Sequence, residues 1–372
     1  MKFGVMQLVS GGYGRTEAEV YRNNLELVQL AEELGFHSVW VAEHHFTDYG
    51  LVPNTLQYLA AAAALTERIR LGAAVVVTPL HNPIRIAEEA AFVDVLSGGR
   101  LDLGLGRGYQ PREYAAFGMS MDESRERFNE SVEFLRKAFT ATEPFDWEGE
   151  FYKGREIAVL PSVVQKPYPP LWLACVSAST FEMAGENGWQ IMTSPNFTPV
   201  KIVAENFERY KAALVAAGFD PAAFQYPVMQ QVYVGADPDR AYEEPQEACM
   251  NFFQKLSGLL PKEIKDPQQS GGESYEQFRR TQRKMTDLRY DYLYENAVLF
   301  GTGERVVERI RHLQEYAGVD YLIGWFNLGS LDHELAKESM RRFADEVMPE
   351  FPDEEVPGEE VVVEDVAVAA SS

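Results

Sequence analysis

The chain has 372 residues, enough to bury a large core as one barrel or as two ordinary domains. Its formal net charge of −23 argues against nucleic acid or an anionic membrane as a partner, because both need a broad basic surface. Its 2 cysteines, Cys175 and Cys249, lie far apart and outside any CxxC pattern, which excludes a structural thiolate–zinc framework and suits a reducing compartment.

The first apolar run is too short for a signal-peptide core, and no run approaches the length of a membrane span, so a cytoplasmic location is expected. Residues 3–8 predict the first strand. Thr16 and Glu19 then have capping-box spacing ahead of Val20, Leu25, Val28, Leu30, Ala31 and Leu34, an apolar helical stripe that Gly35 closes. Residues 37–42 predict a second strand that delivers Glu43, His44 and His45 to a loop. Asn54 caps the next helix, which runs through the alanines at 60–64. A third strand is expected over 69–77, then a helix near 84–96 broken by Gly98-Gly99. The fourth strand, 101–105, opens into Gly106-Arg107-Gly108-Tyr109.

A helix over 124–139 is followed by an excursion with small strands at 143–166. Residues 171–176 predict the fifth strand, and Ser177-Ala178-Ser179-Thr180 starts the next helix. Strands six and seven are expected at 189–193 and 226–234, with a helix over 199–217 between them. From 237 to about 296 the alternation breaks, with loop composition at 266–272 and a basic cluster of Arg279, Arg280, Arg283 and Lys284. Gly301-Thr302-Gly303 introduces an amphipathic helix, 320–326 is the eighth strand, and 331–350 the last helix. Residues 353–372, rich in Glu and Val without a helical stripe, read as an acidic disordered tail.

Eight strands alternating with helices predict an α/β fold, a (β/α)8 TIM barrel with insertions, in one domain over 1–352. A doubly wound sheet is the alternative, but no GxGxxG follows the first strand. On a barrel, Glu43, His44, His45, Arg107, Ser177 and Thr180 all fall at the C-terminal ends of strands. Histidine titrates near neutrality, which suits proton transfer. Adjacent histidines converge poorly on one ion and no HExxH accompanies them, so no metal site is expected. The glycines around Arg107 let backbone approach a ligand, and its guanidinium can hold two phosphate oxygens. The helix opened by 177–180 presents free backbone N–H groups to an anion. Each feature alone is also an ordinary cap or surface charge. Together they indicate a phosphate-bearing cofactor with its reactive end near the second strand.

Met1-Lys2-Phe3-Gly4, Glu43-His44-His45-Phe46-Thr47, Pro83 with Glu88, Gly99-Arg100, Arg107-Gly108, Ser124-Arg125 and Ser177-Ala178-Ser179-Thr180 occur in an order and spacing that resemble the bacterial luciferase-like flavin-dependent monooxygenases. The likeness is greatest to the catalytic subunits of bacterial luciferase and covers almost all of the chain before the acidic tail. It implies a barrel that takes reduced FMN from a separate flavin reductase and oxidises a small organic substrate with O2 through a flavin C4a-peroxide. His44 matches the catalytic histidine. Arg107, Ser177 and Thr180, with Arg125, match the phosphate site, and Ala74 and Val75 match a non-prolyl cis peptide beneath the flavin ring. Val176 stands in the cofactor site where the luciferases carry a glutamate, and Gly106 where they carry a reactive cysteine. That second departure weakens the case for light emission and for a long-chain aldehyde. The resemblance also implies a mobile lid over about 258–291. It implies a homo- or heteromeric dimer, with its seam on the helices carrying Ala60 to Ala64 and Glu88. A deazaflavin-dependent hydride transferase and a non-catalytic flavin-binding subunit are the alternatives. The non-catalytic luciferase subunit lacks the matching histidine and arginine, both of which are present here.

Overall fold

The computed structural model describes residues 1–195, 199–259 and 289–352. Within them, the apolar runs become β1 (Lys2–Gln7), β2 (Ser38–Val41), β3 (Arg70–Ala73), β4 (Val76–Val77), β5 (Leu101–Gly106), a short hairpin of β6 (Phe145–Glu148) and β7 (Lys153–Ile157), then β8 (Leu171–Ala174), β9 (Gln190–Met192), β10 (Pro227–Val234), β11 (Leu299–Gly301) and β12 (Tyr321–Trp325). All but the hairpin form one parallel sheet in the order β11-β10-β12-β1-β2-β3-β5-β8-β9, with β4 also on β5. Its two sides meet again where the Met229 N–H of β10 donates to the Thr193 carbonyl just past β9, at 2.8 Å. The sheet is therefore curled in the manner of a TIM barrel.

Twelve helices accompany the strands among the described residues: α1 (Glu17–Glu33), α2 (Thr55–Leu65), α3 (Pro83–Ser97), α4 (Pro111–Ala116), α5 (Ser124–Thr140), α6 (Ala178–Glu186), α7 (Val200–Ala216), α8 (Pro238–Glu243), α9 (Gln246–Leu259), α10 (Tyr290–Asn296), α11 (Gly303–Ala317) and α12 (His333–Arg342). Their ends follow local chemistry. Thr16 and Glu19 form the expected reciprocal capping box, and Asn54 accepts the Gln57 N–H at the start of α2. Gly98 closes α3 at φ +68°, a left-handed conformation that costs a glycine nothing. The excursion after α5 is the β6–β7 hairpin. It is pinned by Glu130, whose carboxylate accepts N–H groups from Phe151 (2.9 Å), Tyr152 (3.0 Å) and the Trp147 indole (3.2 Å). No described helix is long and apolar enough to cross a membrane.

Side chains alternate across the curled sheet as the twofold strand period requires. Val39 and Val41 pack outward under the helices, whereas Trp40 points into the barrel with Met6, Trp172, Tyr321 and Ile323. Trp40 and Trp172 meet edge to face at 4.9 Å, and the Trp40 indole N–H donates to Ser38 Oγ (2.7 Å) and Tyr321 Oη (3.0 Å). A Cβ at residue 72 would stand 2.1 Å from the Trp40 ring, so the plug requires Gly72. These rings fill the floor of the barrel, below the cavity at its C-terminal mouth.

Four expectations are corrected. The strand expected over 69–77 is two strands, parted at Ala74–Val75, whose peptide bond is cis. The stretch 237–296 holds α8, α9 and α10, and β11 extends the sheet beside β10 just beyond it. Helix α4 was not anticipated. The last helix stops at Arg342 and continues as one wider turn, Phe343–Val347, and one tight turn, Met348–Glu350. Residues 260–288 of the expected lid, and the tail at 353–372, lie outside the described residues.

Candidate functional site

At the mouth, residues from the ends of β1, β2, β5, β8, β9, β10 and β12 line a cavity of about 230 Å³. Of the residues singled out in the sequence, Ala74, Val75, His44, Arg107, Val176 and Thr180 line it. Ser177 is buried beside Thr180, with its hydroxyl 3.4 Å from Thr180 Oγ1. Arg125, near the start of α5, is exposed and outside the lining.

The histidine pair divides. His44 is held by its backbone N–H, which donates to the Val52 carbonyl (3.1 Å), and by the close approach of residue 50. A Cβ there would be 3.0 Å from both His44 Cδ2 and the Leu8 carbonyl oxygen, so Gly50 lets the loop fold down. His44 Nδ1 lies 3.3 Å from Glu113 Oε1 and 3.0 Å from Gln110 Nε2. The same carboxylate oxygen accepts the His45 backbone N–H at 2.9 Å. Both partners act on Nδ1, which leaves Nε2 without a protein hydrogen bond among the described residues. A Gln110 N–H into Nδ1 puts the ring proton on Nε2; an Nδ1–H donated to Glu113 leaves Nε2 a basic lone pair. In either tautomer Nε2 is the position open to exchange with a ligand. The rings of Tyr49 and Tyr109 flank the imidazole at 4.9 and 6.0 Å. Burial pushes both phenols well up, so both stay neutral at physiological pH.

His45 turns the other way. Its Nε2–H donates to Glu43 Oε1 at 3.1 Å, and His81 Nε2–H donates to the same oxygen at 2.8 Å. Burial of Glu43 opposes its charge, but these two donors outweigh it and hold the carboxyl below the usual range.

At the far side of the cavity, Ser177 caps α6 without using its side chain on the helix. Its Oγ lies 3.1 Å from Ser179 Oγ. Thr180 Oγ1 donates to the Ser177 carbonyl (2.7 Å) and accepts the Val176 N–H (3.3 Å). The result is a tight hydroxyl-lined turn at a helix N-terminus, and Thr180 in it lines the same cavity as Arg107 from the end of β5. The Arg107 carbonyl is fixed by the Tyr114 hydroxyl. Gly106 lies under Val75, where an added Cβ would stand 2.5 Å from Val75 Cγ2. Burial pushes the Cys175 thiol up, and its S–H donates to the Thr180 carbonyl.

A largely apolar cavity whose lining includes Arg107, Thr180 and His44 has the chemistry for a flat aromatic ring carrying a phosphate tail. Sequence reasoning missed Gln110, Glu113 and His81. For the first two a signal existed: Pro111 at the first helical position with Glu113 in the first turn marks a helix start.

A model of luciferase-like monooxygenases matches residues 1–321. The chain is similar to the oxygenase component of the flavin-dependent trigonelline monooxygenase of Acinetobacter baylyi, 28% identical over 349 residues that cover 92% of this chain and 93% of the relative. Its fold is also that of the oxygenating constituent of 3,6-diketocamphane monooxygenase from Pseudomonas putida, solved with FMN (TM-score 0.78, 20% identity, 95% and 99% of the two chains). An F420-dependent secondary alcohol dehydrogenase shares it as well (TM-score 0.72, 20% identity, 95% and 99%). At that identity the two structures speak to fold alone, and the fold accommodates either coenzyme.

Proposed function

The chain belongs to the luciferase-like monooxygenase family, and from that premise we propose that it is the oxygenase component of a two-component system. It takes reduced FMN from a separate flavin reductase and uses O2 to oxidise a small organic substrate. The observation that carries this reading is His44, which lines the cavity with Nδ1 engaged by Glu113 and Gln110 and Nε2 left over. Reduced FMN, when bound, supplies the electrons for the reaction with O2. Arg107, Ser177 and Thr180 would hold its phosphate by charged and hydroxyl hydrogen bonds. Ala74, Val75 and Gly106 would lie against the ring, and Val176 beside the tail. The walls from Met6, Leu8, Met229 and Trp325 exclude water, and the His44 Nε2 position exchanges a proton with the reacting oxygen or the substrate.

A second copy of the chain is proposed to pack on the α2–α3 face, where Leu65, Phe92, Val95 and Leu96 are 43%, 51%, 41% and 45% exposed. The seam cannot run through Ala62, which is fully buried against the barrel.

Anaerobic titration with reduced FMN, followed by mixing with O2, tests the catalytic reading. Saturable binding and oxygen-dependent decay of the reduced flavin through an absorbing species are expected. Preferential binding of reduced F420, with hydride transfer that needs no O2, would overturn it.

A further inference from the structure

We propose that Glu43, His45 and His81 form a binding site for a divalent cation of the zinc class. The adjacent histidines do not share an ion; instead His45, from the loop after β2, meets His81, which closes the short 3-10 turn Thr78–Leu80 after β4. One donor atom from each residue lies within 4.8 Å of the other two. Two imidazole nitrogens and one carboxylate oxygen suit Zn²⁺ or Co²⁺ far better than Mg²⁺ or Ca²⁺, which prefer all-oxygen sites.

The second observation is an imbalance at Glu43. Its Oε1 receives His45 Nε2–H, His81 Nε2–H and, at 3.4 Å, the Val77 backbone N–H. Its Oε2 is buried with no partner, on a residue only 3% exposed. A hydrogen-bonded relay would divide its donors between the two oxygens. Leaving one buried and bare costs its full desolvation, which a cation held by the two rings and bridging both carboxylate oxygens would offset. Tetrahedral zinc with bonds of about 2.0–2.2 Å sets its ligand atoms roughly 3.3 Å apart. The present N···O distances of 3.1 and 2.8 Å are therefore within a small side-chain adjustment of that geometry. The His81 side chain is 22% exposed, so an ion can enter from solvent. Neither imidazole has a protein partner at Nδ1 among the described residues. The lack of such outer partners typically lowers affinity about 10–100-fold, so binding on the order of micromolar is expected rather than the tight grip of a structural site. An ion here would also stiffen the His45 backbone, whose N–H positions Glu113 beside His44.

The test uses the flavin-free full chain and reads binding, so its outcome is independent of the flavin assignment. Calorimetric titration with Zn²⁺ should show one saturable site per chain, and Co²⁺ should give visible bands of a low-symmetry, near-tetrahedral ion. Both cysteines are buried and offer no competing thiolate. His81→Ala should weaken binding by at least about tenfold, and His81→Asp, which returns a ligand, should recover part of it. Thermal melts without metal show whether each variant is folded; if His81→Ala is not, His45→Gln is read in its place. Absence of saturable Zn²⁺ binding, or undiminished binding by folded variants, would mean that the three groups are only a hydrogen-bonded network.

Discussion

His44 is held through one ring nitrogen, and that arrangement separates its chemical role from its packing. With Nδ1 occupied by Glu113 and Gln110 and the ring between Tyr49 and Tyr109, alanine should empty a small space without disturbing Ser177 and Thr180, which share no hydrogen bond with it. General acid–base assistance is worth about 10²–10⁴-fold, so His44→Ala should lower turnover by at least the smaller factor. Affinity for reduced FMN should fall much less. Stopped-flow mixing of the reduced complex with O2, scored for product, distinguishes this from a packing role, in which flavin binding and turnover decline together. Asp320 makes an independent prediction at the opposite end of the barrel. It accepts the Tyr226 N–H at 2.6 Å, yet burial pushes its carboxyl up to about 6 from 3.8. A folded pKa above the unfolded one stabilises the protein below about pH 4, and that contribution is lost as pH rises through 6. A gap of about two units corresponds to an order of 1–3 kcal/mol. Asp320→Asn should flatten the rise in unfolding free energy seen as pH falls from 7 to 4.5 and should stabilise the protein at pH 7.5. Urea titrations at both ends of that range would show an unchanged slope if Asp320 does not carry the effect.

At the scale of elements, the proposed cofactor cradle draws on the end of β5 and the start of α6. In that proposal neither would make a phosphate site alone: Arg107 would supply charge, while Ser177 and Thr180 would supply hydroxyls at a helix N-terminus. A charged hydrogen bond contributes roughly 1.5–3 kcal/mol, so Arg107→Ala should weaken FMN binding about tenfold or more. Riboflavin, which lacks the phosphate, should bind the variant nearly as well as the parent; parallel losses would place Arg107 in folding instead. The same strand carries a packing constraint at Gly106. A methyl group there meets Val75 at 2.5 Å, too close to accommodate without displacing that side chain. Gly106→Ala should therefore cost about 1–3 kcal/mol of stability and reduce affinity for FMN and riboflavin alike, which chemical denaturation and fluorescence titration would each detect.

At the scale of the whole molecule, α2 and α3 expose Leu65, Phe92, Val95 and Leu96, a departure from a solvated helix face. If a second copy covers them, Phe92→Asp should yield folded monomers by sedimentation velocity. A folded variant that keeps the parent's sedimentation coefficient would move the interface elsewhere. Ala62→Arg is a poor probe of the seam. That side chain is fully buried, so arginine would disrupt packing against the barrel before it could report on association.

The elements that local chemistry dictates are legible in the amino-acid sequence by itself. Capping at Thr16 and Asn54, the glycine stop at 98, and long apolar runs such as residues 101–105 and 226–234 each depend on near neighbours in the chain. His44, Arg107, Ser177 and Thr180 are legible too, because strand ends that open into polar or glycine-rich turns mark the face where such folds bind ligands. Short elements are not. The three residues of β11 carry too little pattern to stand out, and they are strand only because β10 offers them a partner. Likewise, nothing between Glu43 and Glu113 states that one will turn toward His45 and His81 and the other toward His44. Those choices follow from curling the sheet, which brings loops 34 to 69 residues apart into hydrogen-bonding distance. Sequence determines which side chains arrive at the mouth of the barrel. Which of them touch is decided by closure and packing, since hydrogen bonds between distant loops have no period in the chain.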